Sequence, residues 1–314
     1  MFTFAYLMLS VQFSPLQGYT EYMYRNIHHR VVGGVDVYYS PFIRWEKGLR
    51  NKDRQDVMRE NNKSLHLIPQ IIAGNPDEMA NLCDVLQKEG YNEINLNMGC
   101  PAPMQTKHNR GSSLLTDEKS VRLLVEEMNR RRDVDFSVKM RLGMDSAEDW
   151  QVILPILNAA PLSHIVIHPR TARQQYKGRV DMEMFEKFYS LCRHPLIYNG
   201  DILSLEDINS LEIRYPLLRG VMIGRGLLAR PTLGLEYKSG EKWPENKRLE
   251  VFGKMHEEMF AFNRHKFPND TQLLIQMHVF WEYQKSNLEK KKYKKVMKSG
   301  SLRNYLAAVN DIFS

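Results

Sequence analysis

Short apolar runs alternate along most of this chain with longer stretches whose apolar residues recur at helical spacing. Glycine, proline or polar residues bound each run, which predicts short buried strands. Eight such runs occur, at Val11–Phe13, Val35–Tyr39, Leu65–Ile72, Glu93–Asn97, Phe136–Arg141, His164–His168, Leu196–Tyr198 and Gly220–Ile223. A strand followed by a helix, repeated eight times, predicts an α/β fold of the (β/α)8 TIM-barrel type. A doubly wound sheet is the alternative, but no G-x-G-x-x-G motif follows the first run.

The stretches between the runs predict the helices of the barrel. These helices are expected at Tyr19–Val31, from Asn75-Pro76, from Thr116 as N-cap to about Arg132, at Ala147–Ala159, at Met182–Cys192 and from Ser204 or Leu205. After Trp243 the strand signals stop, and the tail predicts helices at Asn246–Lys266 and Thr271–Ser286, then two short ones hinged at Ser299-Gly300. We therefore expect a catalytic barrel over residues 1–240 and a small all-helical domain over residues 241–314.

The last helical region carries a cluster of lysines. Between Lys285 and Arg303 the only acid is Glu289, and Tyr293 lies inside the cluster. Such a cluster is often a solvated helix face, but with a tyrosine inside it and an enzyme-like barrel attached it favours contact with a phosphate backbone. The formal net charge of +7 also suggests a polyanionic partner. The cluster consists of Lys290, Lys291, Lys292, Lys294, Lys295 and Lys298.

Composition narrows the function classes further. Hydrophobic residues make up 43% of the chain, as in globular proteins, and no segment is apolar for long enough to span a bilayer. The apolar start, Met1–Leu9, lacks the basic region and cleavage site of a signal peptide, and we interpret it as a lead-in to the first strand, with Met8 as an alternative start. Cys83, Cys100 and Cys192 are an odd, widely spaced set without metal-ligand spacing. We therefore expect a reduced cytoplasmic protein without a metal, and a monomer.

Polar residues or glycines follow nearly every predicted strand. In a barrel the carboxyl ends of the strands converge on one face, so these residues should line one site. Each of these residues, taken alone, can be explained as a turn or packing residue without a function. An isolated cysteine in particular is more often a buried packing residue than a catalytic one. Unpaired buried lysines and arginines are costly, however, so the whole set needs partners or an anionic ligand. The set is Pro15, Leu16, Gln17, Gln70, Asn97, Cys100, Lys139, Arg141, His168, Arg170, Asn199, Gly200, Asp201, Gly224 and Arg225.

The last two loops of this set have the most specific chemistry. Glycine-containing turns after the seventh and eighth strands are the usual phosphate site of a barrel, where backbone N–H groups point at the anion. Gly200 and Gly224 allow close approach, and Arg225 adds a charged contact. Amide side chains on earlier strands could match the edge of a heterocycle, and Lys139 could lie beside a ring that becomes anionic on reduction. Together these features describe a phosphorylated heteroaromatic cofactor, and flavin mononucleotide (FMN) fits best.

Five motifs carry a resemblance to a known family. They are Asn95–Pro101, Ser137–Gly143, His168–Thr171, Asn199–Asp201 and Met222–Gly226. Their order and spacing from about residue 13 to residue 231, followed by a helical tail, closely resemble the tRNA-dihydrouridine synthase family. The resemblance implies an FMN-dependent barrel that reduces the C5=C6 bond of a uracil in tRNA and uses NADPH to reduce the flavin again.

The resemblance also implies roles for single residues. Cys100 would donate a proton to C5 of a uracil drawn out of its stack, while reduced flavin delivers hydride to C6. Lys139 and His168 would favour the anionic reduced flavin. The flavin ring would be surrounded by Pro15, Leu16, Gln17, Gln70, Lys139 and His168. Its ribityl phosphate would be bound by Asn199, Gly200, Asp201, Gly224 and Arg225. The uracil would lie nearest Asn97, Arg141 and Arg170, and the tRNA backbone would contact Lys291, Lys292, Lys294 and Lys295.

The sequence departs from the family pattern in two places. Leu16 replaces a flavin-packing methionine, a volume-conserving change that should be tolerated. The loop Ala102–Ser113 is unusual for the family, although Arg110-Gly111-Ser112 keeps its general character. This loop bears on which uridine is the target rather than on the type of reaction.

Two rival functions stay open at this point. A flavin barrel acting on a free pyrimidine, similar to dihydroorotate dehydrogenase, would share the barrel chemistry, but the basic tail would have no obvious purpose. A non-catalytic RNA-binding barrel is the second rival, and the intact Cys100, Lys139 and His168 speak against it.

Overall fold

A computed structural model describes residues 8–314, so most of the predicted lead-in at Met1–Leu9 lies outside the described residues. The strands are β1 (Ser10–Phe13), β2 (Val37–Tyr39), β3 (Ile43–Arg44), β4 (Leu67–Ile68), β5 (Gln70–Ile72), β6 (Glu93–Met98), β7 (Asp135–Gly143), β8 (Leu162–Thr171), β9 (Leu196–Asn199) and β10 (Leu218–Ile223). The α-helices are α1 (Tyr22–Val31), α2 (Asn51–Val57), α3 (Pro76–Lys88), α4 (Pro103–Thr106), α5 (Glu118–Arg130), α6 (Trp150–Asn158), α7 (Met182–Leu191), α8 (Leu205–Arg214), α9 (Arg225–Ala229), α10 (Leu233–Ser239), α11 (Glu245–Lys266), α12 (Asp270–Trp281), α13 (Lys290–Met297) and α14 (Leu302–Phe313).

The strands close into a barrel. Every pairing is parallel, and β1 lies between β10 and β2. β4 and β5 lie on either side of Pro69 and together take the place of one barrel strand. This stretch pairs with β2 through β4 and with β6 through β5. β4, at one end of the sheet order, therefore continues through Pro69 into β5, which lies beside β3 at the other end. The predicted (β/α)8 barrel is confirmed.

Two apolar layers hold this barrel together. Inward-facing side chains such as Tyr39, Val166 and Met222 fill its interior. The other face of the strands packs beneath the helices in one continuous core. Because side chains alternate along a strand, the same short strands supply both layers. Polar residues are left for the carboxyl ends, where the interior opens.

The structure corrects the predicted elements at several points. The predicted strand Leu65–Ile72 is interrupted at Pro69, which has no N–H group to donate to a neighbouring strand. The N-cap of α5 is Asp117 rather than Thr116, because the Asp117 carboxylate accepts the N–H of Ser120. The short strand β3 and helix α2 were not predicted. The seven residues of α2 contain a single apolar side chain, so they show no helical periodicity.

Helices α11 to α14 form a region with an aromatic core of its own. The Tyr305 hydroxyl accepts the indole N–H of Trp281 at 2.9 Å and hydrogen-bonds to His256 at 2.7 Å. Helix α11 packs along α1 of the barrel. The predicted helical C-terminal region is therefore confirmed, while its exact boundary near residue 240 stays a prediction. No helix within residues 8–314 has the length and apolar character needed to cross a membrane.

Candidate functional site

A cavity of about 330 Å³ opens at the carboxyl ends of the barrel strands. It brings together almost all the residues that the sequence predicted for the cofactor and the base. Those that line it are Pro15, Leu16, Gln17, Gln70, Asn97, Cys100, Lys139, Arg141, His168, Asn199, Gly200, Asp201, Gly224 and Arg225. Arg170 lies behind this wall, and the lysines of α13 lie away from it. The convergence of strand ends thus identifies the cavity, and the individual roles remain predictions.

A chain of amide side chains crosses the floor of the cavity. The Gln70 amide N–H donates to Asn95 at 2.7 Å, and the Gln70 amide oxygen accepts an N–H of Asn97 at 2.8 Å. The Asn97 amide oxygen in turn accepts the backbone N–H groups of Gly99 and Cys100, at 3.0 and 2.8 Å. Asn97 was predicted to contact the uracil. Its amide oxygen instead holds the turn that carries Cys100, which leaves one amide N–H free for a ligand.

The loop after Cys100 is packed tightly against it. Both the backbone N–H and the hydroxyl of Ser112 donate to the Cys100 carbonyl at 3.0 Å. Gly111 has φ +67°, and a Cβ there would lie 2.6 Å from that carbonyl oxygen. Arg110 forms a two-point ion pair with Glu78, at 2.6 and 2.8 Å, which fixes the loop to α3. This part of the unusual loop therefore fixes the position of the thiol.

The Cys100 thiol is partly exposed to the cavity, whereas Cys83 is buried under the barrel helices. Burial raises the pKa of the Cys100 thiol, and a backbone hydrogen bond at Ala102 and the charges of Arg141 and Lys139 only partly oppose this. The thiol is therefore protonated at neutral pH and able to donate a proton.

Lys139 is the least compensated charge in the cavity wall. Burial, and then the charge of Arg141, lower the pKa of its ammonium group to about 7. Only Cys100 opposes these effects, and it does so only as a thiolate; no carboxylate within residues 8–314 contributes. A buried amine of this kind is satisfied by an anion or a strong acceptor inside the cavity.

His168 acts as a neutral group rather than as a cation. Burial, followed by the charges of Lys139, Arg141 and Arg170, lowers the pKa of His168 well below its usual value. A guanidinium N–H of Arg170 lies 3.1 Å from Nε2, which must therefore be the acceptor, and the ring proton is on Nδ1. That His168 favours the anionic reduced flavin stays a prediction, and the neutral ring would do so as an N–H donor rather than as a cation.

Arg170, which is buried, forms an ion pair with the partly exposed Asp201. Arg170 is almost completely buried and donates from two nitrogens to the Asp201 carboxylate, and also to the Gly178 carbonyl at 2.7 Å. Arg225 donates to the same carboxylate at 2.8 Å. Asp201 therefore binds both arginines, and its Oδ1 accepts an N–H from each of them. Because a carboxylate repels a phosphate, we expect Asp201 to act on the predicted phosphate site through Arg225, and its role stays a prediction.

The two loop glycines make room on this side of the cavity. Gly200 has φ +154°, and a Cβ there would lie 2.9 Å from the Val180 side chain. A Cβ at Gly224 would lie 3.3 Å from Ser14 and 3.4 Å from Leu16. Gly224 is also the N-cap of α9, and it has no side chain that could accept the free N–H groups of the first turn of that helix. Backbone donors, glycines and Arg225 therefore lie together, as a phosphate group requires.

Three tyrosines in the cavity wall were missed by the sequence analysis. Tyr19, Tyr176 and Tyr283 all line it. The guanidinium of Arg225 lies 4.4 Å from the centre of the Tyr176 ring, and that of Arg141 lies 5.7 Å from it. Tyr19 and Tyr176 lie in loops beyond the strand ends, and Tyr283 lies in the helical region. A rule based on strand ends alone could not find them.

The residues fit a phosphorylated flavin. Lys139, whose ammonium is uncompensated, and His168, whose ring proton is on Nδ1, both line the cavity, and a ring that becomes anionic needs such donors. The loops that contain Gly200 and Gly224, together with Arg225, form a second region of the cavity that is suited to a phosphate. Among residues 8–314 no group of three or more acidic, histidine or cysteine side chains is arranged to hold a metal ion.

The lysines of α13 differ from one another in their contacts. Lys292 and Lys295 both approach Asp311 of α14, and the Lys295 ammonium lies 2.7 Å from the carboxylate. Lys291 and Lys294 are exposed and take part in no ion pair within residues 8–314. Two of the four lysines predicted to contact RNA are therefore partly neutralised.

Comparison with known proteins places this site in a family. Residues 12–312 match the family described as Dihydrouridine synthase (Dus). The tRNA-dihydrouridine(16) synthase of Pseudomonas putida is 27% identical over 237 residues, which are 73% of each chain. A Helicobacter pylori protein named "Probable tRNA-dihydrouridine synthase" is 28% identical over 270 residues, which are 81% of each chain.

Solved structures agree on the fold. The old yellow enzyme of Trypanosoma cruzi superposes with a TM-score of 0.52 at 10% identity, covering 74% of this chain and 88% of that one. At this identity the likeness concerns the barrel alone. The family match spans nearly the whole chain and agrees with the five sequence motifs. This chain belongs to the dihydrouridine synthase family.

Proposed function

We propose that this chain reduces the C5=C6 bond of a uridine in tRNA to give 5,6-dihydrouridine, with FMN as the bound flavin and NADPH as the reductant. The observation that carries the proposal is the pairing of a protonated thiol, Cys100, with an uncompensated cation, Lys139, in one cavity at the mouth of the barrel. The first suits a proton donor, and the second suits an anionic flavin.

Reduced flavin, when bound, supplies the hydride that adds to C6 of the uracil. Within this chain Lys139, His168 and one free amide N–H of Gln70 provide hydrogen-bond donors for the flavin ring, while Pro15 and Leu16 provide apolar walls. Gln17 lines the same wall, with its amide N–H donating to the Phe42 carbonyl at 2.9 Å. The phosphate would be held by the loops at Asn199–Asp201 and Gly224–Arg225, where Asp201 orients Arg225.

The task of Cys100 is to give a proton to C5. Hydride addition at C6 leaves an electron pair at C5, and transfer of the thiol proton to C5 completes the reduction, leaving a thiolate that regains a proton from solvent. The raised pKa keeps the thiol protonated before the reaction. Asn97 and Ser112 fix its position through the backbone on either side. Positioning of this kind is a large part of what an active site contributes.

The base reaches the cavity only after it leaves the tRNA stack. Asn97 and Arg141 each keep unused N–H groups at the cavity, and these are suited to uracil carbonyl oxygens. Arg170 would act indirectly, by fixing His168 and Asp201. The lysines of α13 would hold the tRNA backbone. A monomer in the cytoplasm remains our expectation.

A free pyrimidine is the alternative substrate, and the basic helical region argues against it. The experiment that tests the proposal gives the FMN-loaded protein NADPH together with tRNA, free uridine or orotate. We expect flavin reoxidation without oxygen, and dihydrouridine by mass spectrometry, only with tRNA. Reoxidation by the free pyrimidines alone would favour the alternative. A protein that binds tRNA but no flavin would favour a non-catalytic role.

A further inference from the structure

A short turn of the helical region, Glu282–Gln284, lies at the mouth of the barrel. It is a single 3-10 turn that follows α12 directly. Its three residues contact two different loops around the cavity, although the turn lies more than fifty residues beyond the last barrel strand. We call Glu282–Gln284 the clasp.

The first two residues of the clasp bind the loop that follows β1. The Tyr19 hydroxyl donates to the Glu282 carboxylate at 2.7 Å. The Tyr19 and Tyr283 rings meet edge to face, with centres 5.1 Å apart and planes at 79°. Both rings line the cavity. Tyr283 is therefore a cavity wall that comes from outside the barrel.

The third residue binds the loop that follows β10. Gln284 is buried, and its amide N–H groups donate to the carbonyls of Leu228 and Ala229 at 2.8 and 3.2 Å. These carbonyls are at the end of α9, the five-residue helix that begins at Arg225. Such a helix is only about 7.5 Å long, so a bond at its last turn also fixes its first turn, beside the phosphate loop.

The clasp is also bonded to the basic helix. The Tyr293 hydroxyl of α13 donates to the Glu282 carbonyl at 3.4 Å. Tyr293, which the sequence analysis placed in an RNA-binding cluster, thus has a structural contact of its own. The helix proposed to hold tRNA and the wall of the cavity are joined at one residue.

We propose that the clasp is part of the catalytic site: Glu282 and Gln284 hold the two loops that border the cavity, and Tyr283 is the surface on which an aromatic ring packs. That ring is either the flavin edge or the flipped pyrimidine. The inference deepens the proposed function and rests on it for the identity of the second ring. It gives the helical region a share in the chemistry beyond RNA affinity.

The test compares Tyr283→Ala with the ring-retaining Tyr283→Phe. FMN affinity is measured by fluorescence titration of the apoprotein, the bound flavin by visible circular dichroism, and kcat and KM with tRNA at saturating NADPH. Packing of a nucleobase or flavin on an aromatic ring predicts at least about a fivefold loss in Tyr283→Ala, restored in Tyr283→Phe. A loss of FMN affinity identifies the flavin as the ring. A loss confined to the tRNA reaction identifies the base.

A second set of variants tests the clasp without removing a ring. Glu282→Ala and Tyr19→Phe should each weaken, about threefold, whichever of FMN affinity and the tRNA reaction is impaired in Tyr283→Ala. The double variant should be no more impaired than either single variant. Glu282→Gln retains an acceptor for Tyr19 and should behave as the wild type. The proposal is overturned if every variant stays within twofold of the wild type in both FMN affinity and the tRNA reaction. It is equally overturned if Tyr283→Phe is as impaired as Tyr283→Ala. A wild type without dihydrouridine synthesis would refute the proposed function, while the FMN titrations would still decide whether the flavin packs on Tyr283; unchanged FMN affinity in Tyr283→Ala would then overturn the clasp as well.

Discussion

At the scale of single residues, the protonation states of two neighbouring side chains define the site. The Cys100 thiol keeps its proton because burial raises its pKa, and the Lys139 ammonium loses its proton easily because burial lowers its pKa to about 7. Both shifts have the same main cause, which is removal from water. The first shift suits a general acid that must keep its proton until the substrate reacts. The second suits an amine that becomes a stable cation only when an anion binds beside it.

The Cys100→Ala variant should separate the two halves of the reaction. Its flavin should still be reduced by NADPH, because the thiol serves only the uracil. Uridine reduction should fall by about a hundredfold to ten-thousandfold, as for a lost general acid. Stopped-flow absorbance of the flavin measures both steps. Retention of uridine reduction, or an equal loss of flavin reduction, would contradict the role of proton donor.

The Lys139→Met variant should reveal the cost of the buried ammonium in the apoprotein. The folded-state pKa of about 7 lies below the unfolded value of 10.5, so the unfolded state binds more protons between these pH values. The cost is therefore full below pH 7 and fades as the pH rises towards 10.5. Lys139→Met should be more stable than the wild type at pH 7, on the order of a few kcal/mol at most, and the difference should shrink by pH 10. Urea unfolding at the two pH values measures this. A difference that does not change with pH would contradict it.

The residues of the cavity could be predicted from sequence in part. Strand ends converge in a barrel, so Lys139, Asn97 and their neighbours were found without a structure. The partners within the wall could not be predicted, because the bond of Arg170 to His168 depends on side-chain directions that no spacing encodes. The same holds for Tyr283, which reaches the cavity through domain packing.

At the scale of elements, the loop between β6 and α5 is a rigid support for Cys100. Gly111 is its tightest point, since an added Cβ would meet the Cys100 carbonyl oxygen at 2.6 Å. Gly111→Ala should lower uridine reduction by about tenfold to a hundredfold, because a displacement near 1 Å is costly at a reacting group. FMN binding should be unchanged.

Gly90→Ala is the matched control for Gly111→Ala. Gly90 also has a positive φ, of +84°, but nothing lies within 4 Å of its added Cβ. Both variants should lose stability from backbone strain, and Gly111→Ala should lose more because of its clash with the Cys100 carbonyl; thermal unfolding measures both losses. Only Gly111→Ala should lose activity, and equal activity in the two variants would rule out a support role for the loop.

The lysines of α13 give the next prediction. Lys291→Gln with Lys294→Gln should weaken tRNA binding and lower the salt slope by roughly one unit for each lost phosphate contact. Lys292→Gln with Lys295→Gln should have a smaller effect, because Asp311 already pairs with these two. Fluorescence titrations at several salt concentrations measure the slopes. Unchanged slopes in both pairs would show that the lysines are only a solvated face.

Elements were predicted best where periodicity is strong. β6 to β8 were found because their apolar runs have clear ends, and α11 was found because no strand signal interrupts its 22 residues. β4 and β5 were joined in error, since a proline inside an apolar run does not reveal where each half pairs. Helix α2 was missed because it has no apolar face of helical spacing. It is held against α1 by polar contacts, such as the ion pair between its Asp56 and Arg25 of α1.

At the scale of the whole molecule, we propose that barrel and helical region act on one substrate. The barrel supplies the cavity, and the helical region supplies the basic helix and the clasp. Family membership and fold were predictable from the sequence, because five motifs and eight strand–helix repeats are redundant signals. The way in which the helical region closes the cavity was not predictable, because no motif spans the two.

The most direct measurement of the central claim is the dihydrouridine content of tRNA, mapped by position with mass spectrometry. The tRNA comes from a strain without this gene, from the same strain carrying the wild type, and from the strain carrying Cys100→Ala. The account predicts that dihydrouridine disappears from at least one tRNA position on deletion, returns with the wild type and stays absent with Cys100→Ala. Dihydrouridine that is unchanged at every position on deletion, or fully restored by Cys100→Ala, would contradict it.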